Sequence, residues 1–218
     1  MRTIVIADCH GSPHLITNAL EHANYQIGED RLIFAGDFLD IGPDPRICWA
    51  LLVMNHAEML LGNHEVAILL KRFIGPQDEV SWSFYDDLVA MRSQFKVAAE
   101  QDGILITHAG LSVKYVDEFA GLAPKEIADE LNKWDLDVLW DNNGPIWFRP
   151  KNKAQVYPIE QVCGHTPPEY LKPINILHMI DPYTKKGFDG KRYRYAVIED
   201  GKVRVEDSNE KNDKNKSY

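Results

Sequence analysis

Short apolar runs that each end on a side chain able to bind a metal ion recur along this chain of 218 residues. Runs of this length and composition predict buried β-strands. Ligands of open α/β sheets gather at the carboxyl ends of the strands, so the repetition predicts that distant residues meet at one edge. The five runs are Ile4–Asp8, Leu32–Asp37, Met59–Asn63, Ile104–His108 and Gln161–His165.

Segments with helical spacing of apolar residues separate the first strands. Ser12-Pro13 is typical of a helix start, and a second helix is predicted after Pro45. No apolar strand pattern interrupts residues 65–100, which predicts a helical insertion beside the edge. A further amphipathic helix is predicted over residues 124–134.

The last third of the chain is predicted to be rich in strands, and Asp200-Gly201 predicts a tight hairpin turn between the last two. The pattern therefore favours one α/β domain over residues 1–206. Residues 207–218 are polar and charged, which predicts a disordered tail. The late strands are predicted at residues 160–163, 174–180, 192–198 and 202–205.

Composition and charge narrow the class of protein. The formal net charge of −9 argues against nucleic acid as a partner, although bound cations would reverse the local sign and admit an anionic substrate. The three cysteines, Cys9, Cys48 and Cys163, have no paired spacing, which favours a reducing cytoplasm. The sequence contains no signal-peptide pattern and no apolar stretch long enough for a membrane span, so no membrane partner is expected.

The residues at the strand ends suit a site for two metal ions. Asp8 and His10 share one face of an extended segment, and Asp37 has two carboxylate oxygens with which to bridge two ions. An amide oxygen comes from Asn63, and imidazole nitrogens come from His108 and His165. This mixed set favours Mn, with Fe, Zn, Co or Ni as alternatives, over Ca or Mg. Two such ions would activate a shared water and hold the oxygens of a phosphoryl group during its displacement.

Five short motifs resemble the signature of the calcineurin-like metallophosphoesterases, over about residues 1–206. More narrowly, they are similar to the phosphoprotein phosphatase branch, which includes bacterial serine/threonine phosphatases and symmetrical diadenosine tetraphosphatases. The resemblance implies two facing mixed β-sheets flanked by helices, a four-layer sandwich with the metals at one edge. The motifs are Asp8-x-His10, Gly36-Asp37-x-x-Asp40, Gly62-Asn63-His64-Glu65, His108-Ala109-Gly110 and Gly164-His165-Thr166-Pro167.

The resemblance also implies a role for each site residue. Asp8 and His10 would hold the first metal, Asp37 would bridge, and the second metal would be held by Asn63, His108 and His165. His64 matches the general acid of the family, and Asp40 matches the carboxylate that orients this histidine and favours its charged form.

The chain departs from the branch at two positions where an arginine commonly binds the phosphate. Ile41 follows Asp40, and Leu61 precedes Gly62-Asn63-His64-Glu65. An arginine binds a phosphate through two parallel hydrogen bonds, so its loss should weaken the binding of a phosphate dianion or change the substrate. Arg149, in a segment similar to a Trp-x-Arg segment of bacterial members, is the predicted replacement, with Asn63 as a second contact to substrate.

These features predict a phosphatase that acts on a phosphomonoester of a protein or small molecule, with a metal-activated water and His64 as general acid. The alternative is a symmetrical dinucleoside polyphosphate hydrolase, because Gly42-Pro43 is similar to that subgroup. A third hypothesis is a metal-binding interaction module with weak or no catalysis, motivated by the two missing arginines. Against it, a module of this kind would need no general acid.

Overall fold

Two mixed β-sheets form the centre of the fold, in the computed structural model that describes residues 1–75, 77–170, 174–183 and 192–208. The strands are β1 (Thr3–Ile6), β2 (Arg31–Phe34), β3 (Glu58–Leu60), β4 (Phe95–Lys96), β5 (Ala98–Gln101), β6 (Ile104–Thr107), β7 (Gln161–Cys163), β8 (Leu177–Met179), β9 (Arg194–Glu199) and β10 (Lys202–Asp207). The first sheet has the order β10-β9-β1-β2-β3-β4, and the second has the order β5-β6-β7-β8. Strands β1 to β4 run parallel, as do β6 to β8, while β9, β10 and β5 each pair antiparallel with their neighbours.

Alternation of apolar side chains along the strands packs the two sheets face to face. Val5 of β1 lies in a buried cluster that includes Ile33 of the same sheet and Ile106 of the second sheet. Its neighbours Ile4 and Ile6 point to the opposite face and belong to the large cluster that packs against the helices. Each sheet therefore has one face on its partner and one face under helices, which confirms the predicted four-layer α/β class.

Helices cover the outer faces of both sheets. Three of these helices begin with a proline, Pro13, Pro45 or Pro124, in the first turn, where its missing N–H costs no helical hydrogen bond. Within the described part of the chain, the helices are too short or too polar to cross a membrane. Their bounds are α1 (Pro13–Ala23), α2 (Pro45–Met54), α3 (Asn63–Leu69), α4 (Glu79–Trp82), α5 (Tyr85–Ala90), α6 (Pro124–Leu131) and α7 (Leu136–Leu139).

The predicted helical insertion over residues 65–100 is wrong at its carboxyl end. Helices α3, α4 and α5 are short, and strands β4 and β5 follow them before residue 101. The link between these strands is fixed by Asn132, whose side-chain oxygen accepts hydrogen bonds from the N–H groups of Val97 and Ala98. Periodicity missed the strands because Val97, Ala98 and Ala99 are all buried, so no alternation marks them.

The last third is strand-rich as predicted, with two differences in length. The hairpin β9–β10 turns at Asp200-Gly201, both of which have positive φ. Strand β8 is shorter than predicted, because Leu177 N–H donates to Ile174 O and closes a turn before the strand. Strand β10 includes Asp207, whose buried carboxylate pairs with Arg194, so the fold extends past the predicted limit at 206. Residues 209–218 of the predicted tail lie outside the described residues.

Candidate metal centre

A cavity of about 380 Å³ opens at the edge where the carboxyl ends of the central strands meet. Asp8, Asp37 and Asn63 follow β1, β2 and β3 of the first sheet, whereas His108 and His165 follow β6 and β7 of the second. Residues of both sheets are therefore brought to one place, as the strand-end pattern predicts. The cavity is lined by Asp8, His10, Asp37, Ile41, Asn63, His64, Arg149, His165, Pro167, Asp181 and Tyr183.

The imidazoles at this edge are oriented as metal ligands. His10 Nδ1 donates to Leu39 O and His108 Nδ1 donates to Ala35 O, each at 2.8 Å, which leaves Nε2 of both rings facing the centre. The Nε2 atom of His165 is buried and has no hydrogen-bond partner among the described residues. Burial lowers the pKa of His10 to about 4 and the pKa of His165 well below its usual value. Both rings are therefore neutral, which is the form that binds a metal.

Asp37 lies at the centre of the imidazoles. Its Oδ2 atom is 3.3 Å from Nε2 of His108, 3.7 Å from Nε2 of His10 and 3.8 Å from Nε2 of His64. Burial alone would raise the pKa of Asp37, but His108, His64 and His10 together hold it well below its usual range. The carboxylate is therefore charged, which is the form that would hold divalent cations.

Two groups of side chains around Asp37 could each hold one divalent ion. One consists of His10, Asp37 and His64, and the other of Asp37, His108 and His165; within each group the ligand atoms lie within 4.8 Å of one another. Imidazole nitrogens with a shared carboxylate suit transition metals, so the donor set fits two such ions. Asp37 belongs to both groups, which is the position predicted for the bridging ligand.

The other two predicted ligands lie beside these groups. Both carboxylate oxygens of Asp8 are 3.0 Å from the backbone N of His165, and the Asp8 side chain is buried in the cavity wall. The Oδ1 atom of Asn63 is 3.0 Å from Nε2 of His108. The first group thus contains His64 where the sequence predicted Asp8, although both residues line the same cavity.

His64 is held by a carboxylate behind it. Its Nδ1 atom forms a short hydrogen bond with Oδ2 of Asp40, a residue with no exposed surface. The N–H of Asp40 in turn donates to Oγ of Ser81 in α4, so the segment after α3 supports this pair. Burial lowers the pKa of His64, but Asp37 and Asp40 outweigh it and raise the pKa above its usual value. The pair therefore favours the protonated form of His64, and Nε2 faces the cavity.

The backbone at the site is unusual as well. Six residues at the site, all aspartate, histidine or isoleucine, have backbone angles in the left-handed region. Residues other than glycine are strained there, and such strain is concentrated at functional sites. The loops also approach each other so closely that a Cβ at Gly62 would lie 2.0 Å from Asp37 Oδ1, and one at Gly164 would lie 1.9 Å from Asp8 Oδ2. The positive φ angles are 51° at Asp8, 40° at His10, 66° at Asp37, 66° at Asp40, 69° at Ile41 and 63° at His165.

Glu65 is a positioning residue to which the sequence analysis gave no role. Its side chain has no exposed surface, and it accepts hydrogen bonds from four backbone N–H groups in two loops. These donors are Asp37, Phe38 and Leu39 after β2, and Gly62 after β3, at 2.8 to 3.4 Å. Burial and the neighbouring Asp37 raise the pKa of Glu65 to about 7. One carboxyl group thus holds together the loops that carry Asp37, Asp40 and Asn63.

Replacing Glu65 by glutamine should lower the free energy of unfolding by about 3 kcal/mol, because an amide NH₂ then faces buried N–H donors that lose their acceptor. Urea unfolding of the metal-free protein at pH 8 measures this change. Glu118→Gln, on the exposed surface, is the matched control and should be neutral. Equal urea midpoints for Glu65→Gln and the control would contradict the assigned role.

Arg149, Ile41 and Asp181 are three further residues of the cavity lining. Arg149 Nη1 donates to His165 O at 2.8 Å, and its side chain forms part of the cavity wall. Ile41 is 54% exposed at the cavity mouth, whereas Leu61 is fully buried in the core. Asp181 was not predicted as a site residue, yet it belongs to the cavity lining. The sequence does contain a signal for it, because Asp181 follows residues 176–180, which are apolar except for His178, as the candidate ligands follow the five apolar runs.

Proteins with a similar sequence or structure include tetraphosphatases, a serine/threonine-protein phosphatase and a metallophosphoesterase. A symmetrical bis(5′-nucleosyl)-tetraphosphatase of Buchnera aphidicola subsp. Acyrthosiphon pisum is 25% identical over 164 residues, which are 67% of this chain and 60% of that protein. The chain therefore spans about three fifths of the length of this relative.

Solved structures share the fold over nearly the whole chain. The crystal structure of a mutant cold-active protein tyrosine phosphatase superposes with a TM-score of 0.67 at 16% identity, covering 94% of this chain and 80% of that one. A putative diadenosine tetraphosphatase superposes with a TM-score of 0.57 at 19% identity, covering 94% and 93%. The model of the calcineurin-like phosphoesterase family matches residues 1–205, which contain every residue of the cavity described above. On this match the chain belongs to the calcineurin-like phosphoesterase family.

Proposed function

We propose that this protein hydrolyses phosphoesters, with two divalent metal ions held around Asp37. The observation that carries the proposal is the joint arrangement of Asp37 between two ligand groups and the His64–Asp40 pair at the same cavity. Two divalent ions held by these residues would supply Lewis-acid polarisation of a phosphoryl group and a lower pKa for bound water. Mn is the favoured ion, with Fe, Zn, Co or Ni as alternatives, because the donor set is of nitrogen and oxygen.

The chain's own contribution to the reaction is proton transfer and charge stabilisation. His64, with Nδ1 on Asp40 and Nε2 toward the cavity, is placed to donate a proton to the leaving oxygen. Arg149 and Asn63 line the cavity, and we assign them to binding the phosphoryl oxygens. A metal-binding interaction module would not need the His64–Asp40 pair, so this pair favours an enzyme.

A substrate panel with the purified protein tests the proposal. The panel contains p-nitrophenyl phosphate, phosphopeptides, nucleotides and dinucleoside polyphosphates, each with Mn²⁺, Zn²⁺, Fe²⁺ or Mg²⁺ after removal of bound metal by a chelator. We expect hydrolysis of phosphomonoesters that depends on added metal and is restored by Mn²⁺. If the metal-loaded protein hydrolyses none of these compounds, the proposal is wrong and the interaction module takes its place.

The second candidate is symmetrical hydrolysis of dinucleoside polyphosphates. Ile41 favours it, because its exposed apolar side chain at the mouth of the cavity offers a nucleobase an apolar surface to pack against. The relative from Buchnera is named for this activity. Incubation with diadenosine tetraphosphate discriminates: ADP as the sole product supports this candidate, and no product at high enzyme concentration removes it.

Replacing Ile41 by arginine should lower KM for small phosphomonoesters about tenfold, because the new guanidinium adds a charge-assisted hydrogen bond to the phosphate. Steady-state kinetics on p-nitrophenyl phosphate measures the effect. Ile41→Gln, similar in length but uncharged, is the control and should leave KM within about twofold. A KM for Ile41→Arg no lower than that of the control would place residue 41 outside the phosphate site.

A cytoplasmic location is part of the proposal. Cys9, Cys48 and Cys163 are all buried and form no disulfide, which is the usual state of cysteines in a reducing compartment. The expected substrates are accordingly phosphorylated proteins or small phosphate compounds of that compartment.

A further inference from the structure

Asp181 is a buried carboxylate at the metal centre that none of the family motifs in this chain contains. It follows β8 by two residues, and β8 runs parallel to β7 and β6, which carry His165 and His108 at the same ends. It is therefore the third polar residue that the second sheet delivers to this edge. Its side chain lines the cavity together with Asp8, His10, Asp37 and His165.

The surroundings of Asp181 give its carboxylate no direct cationic partner, and the more distant His108 and Arg149 do not outweigh its burial. It is only 4% exposed, and its Oδ1 atom accepts a hydrogen bond from the backbone N–H of Tyr183 at 2.8 Å. Among the described residues, no lysine or arginine lies within ion-pair distance of its carboxylate. A buried charge without a partner is costly, so such groups pair with a cation or coordinate a metal.

The other carboxylates of the cavity increase that cost. Burial, Asp181 and Asp37 together raise the pKa of Asp8 well above its usual value, so Asp8 and Asp181 repel each other. Burial likewise raises the pKa of Asp181 to about 7. Independently of these acids, His165 is 4% exposed and its Nε2 atom has no partner among the described residues, which marks the same cavity as a place for a ligand.

We propose that Asp181 is a further acidic residue of the metal centre, whose carboxylate strengthens the binding of divalent cations on the Asp8 side of the cavity. This inference rests on the proposed function only because both concern the same cavity. It assigns to Asp181 the task of balancing cation charge next to Asp8, whether it contacts an ion directly or through a water. The bond from Tyr183 fixes the orientation of the carboxylate for this task.

Mn²⁺ binding by Asp181→Asn tests the proposal. The asparagine keeps an oxygen for the Tyr183 N–H, while it removes the charge and replaces the second oxygen by an NH₂ group. Calorimetric titration of chelator-treated Asp181→Asn with Mn²⁺ at pH 8 should give a Kd about 10- to 100-fold higher than that of the wild-type protein. Asp117→Asn, an exposed carboxylate elsewhere, is the matched control and should leave the Kd unchanged.

Thermal unfolding with and without Mn²⁺ separates this role from a structural one. Without metal, Asp181→Asn should have a higher Tm than the wild type, because repulsion with Asp8 is gone, while the rise in Tm on adding Mn²⁺ should be smaller. An unchanged Kd together with a Tm lowered equally in both conditions would overturn the proposal. If the wild type binds Mn²⁺ but hydrolyses no phosphoester, the proposed function fails while the role of Asp181 stands.

Discussion

The Asp37→Asn variant should lose about 10³-fold or more in kcat/KM for phosphoester hydrolysis, since charge stabilisation by bound metals contributes several kcal/mol. Asp37 is the one side chain shared by both ligand groups, and its Oδ2 atom lies 3.3 to 3.8 Å from three imidazole nitrogens. Asparagine keeps the size of the side chain but removes the charge that attracts two cations. The loss should therefore fall on metal content as well as on turnover.

Metal content and kinetics measured on the same sample test this prediction. The variant is loaded with Mn²⁺, passed through a desalting column and assayed for bound metal by mass spectrometry. We expect less than one equivalent to remain, against two for the wild type. Asp117→Asn should behave as the wild type. Full metal content with activity within about threefold of the wild type would contradict the bridging role.

The His64→Asn variant should lose about 10²- to 10⁴-fold in kcat, the usual contribution of a general acid. Asparagine keeps a donor toward Asp40 but offers no acidic proton to the leaving oxygen. The loss should depend on the leaving group. A phosphoserine peptide releases a poor leaving group that needs the proton, whereas p-nitrophenolate leaves with little assistance, so the peptide should show the larger loss.

The metal content of His64→Asn separates a general acid from a metal ligand, because His64 lies in one of the two ligand groups. As a general acid it leaves both equivalents of Mn²⁺ bound, and kcat alone falls. His56→Asn, on the exposed surface, is the control for removal of an imidazole. Loss of one equivalent of metal, with equal effects on both leaving groups, would make His64 a ligand instead.

Much of this site follows from the order of apolar and polar residues along the chain. A run that is buried on both faces must be followed by a residue at the sheet edge, so Asp8, Asp37, Asn63, His108 and His165 could be located without coordinates. The same logic applies to Asp181, which was missed because it belongs to no family motif. Helices that begin with proline were equally visible, since proline fits only the first turn.

Other features depend on tertiary contacts that no local pattern encodes. Strand β5 has no alternating pattern. Its first residue, Ala98, is held by a hydrogen bond to the side chain of Asn132, which is 34 residues away in sequence. The role of Glu65 depends on the approach of two loops whose N–H groups converge on one carboxyl group. Likewise, Leu61 and Ile41 both replace an expected arginine, but only the fold places one in the core and the other at the cavity mouth.

The hydrogen bonds that orient the imidazoles also join the two sheets. His108, from the second sheet, donates to Ala35 O of the first, and the backbone N of His165 donates to Asp8 across the same boundary. These hydrogen bonds therefore hold the two sheets together at the edge of the cavity, and they do so without bound ions. Replacing His108 should weaken the packing of the two sheets and increase the rate of amide hydrogen exchange in β6 and β7. A loss of turnover in such a variant would therefore combine a structural effect with any loss of metal binding.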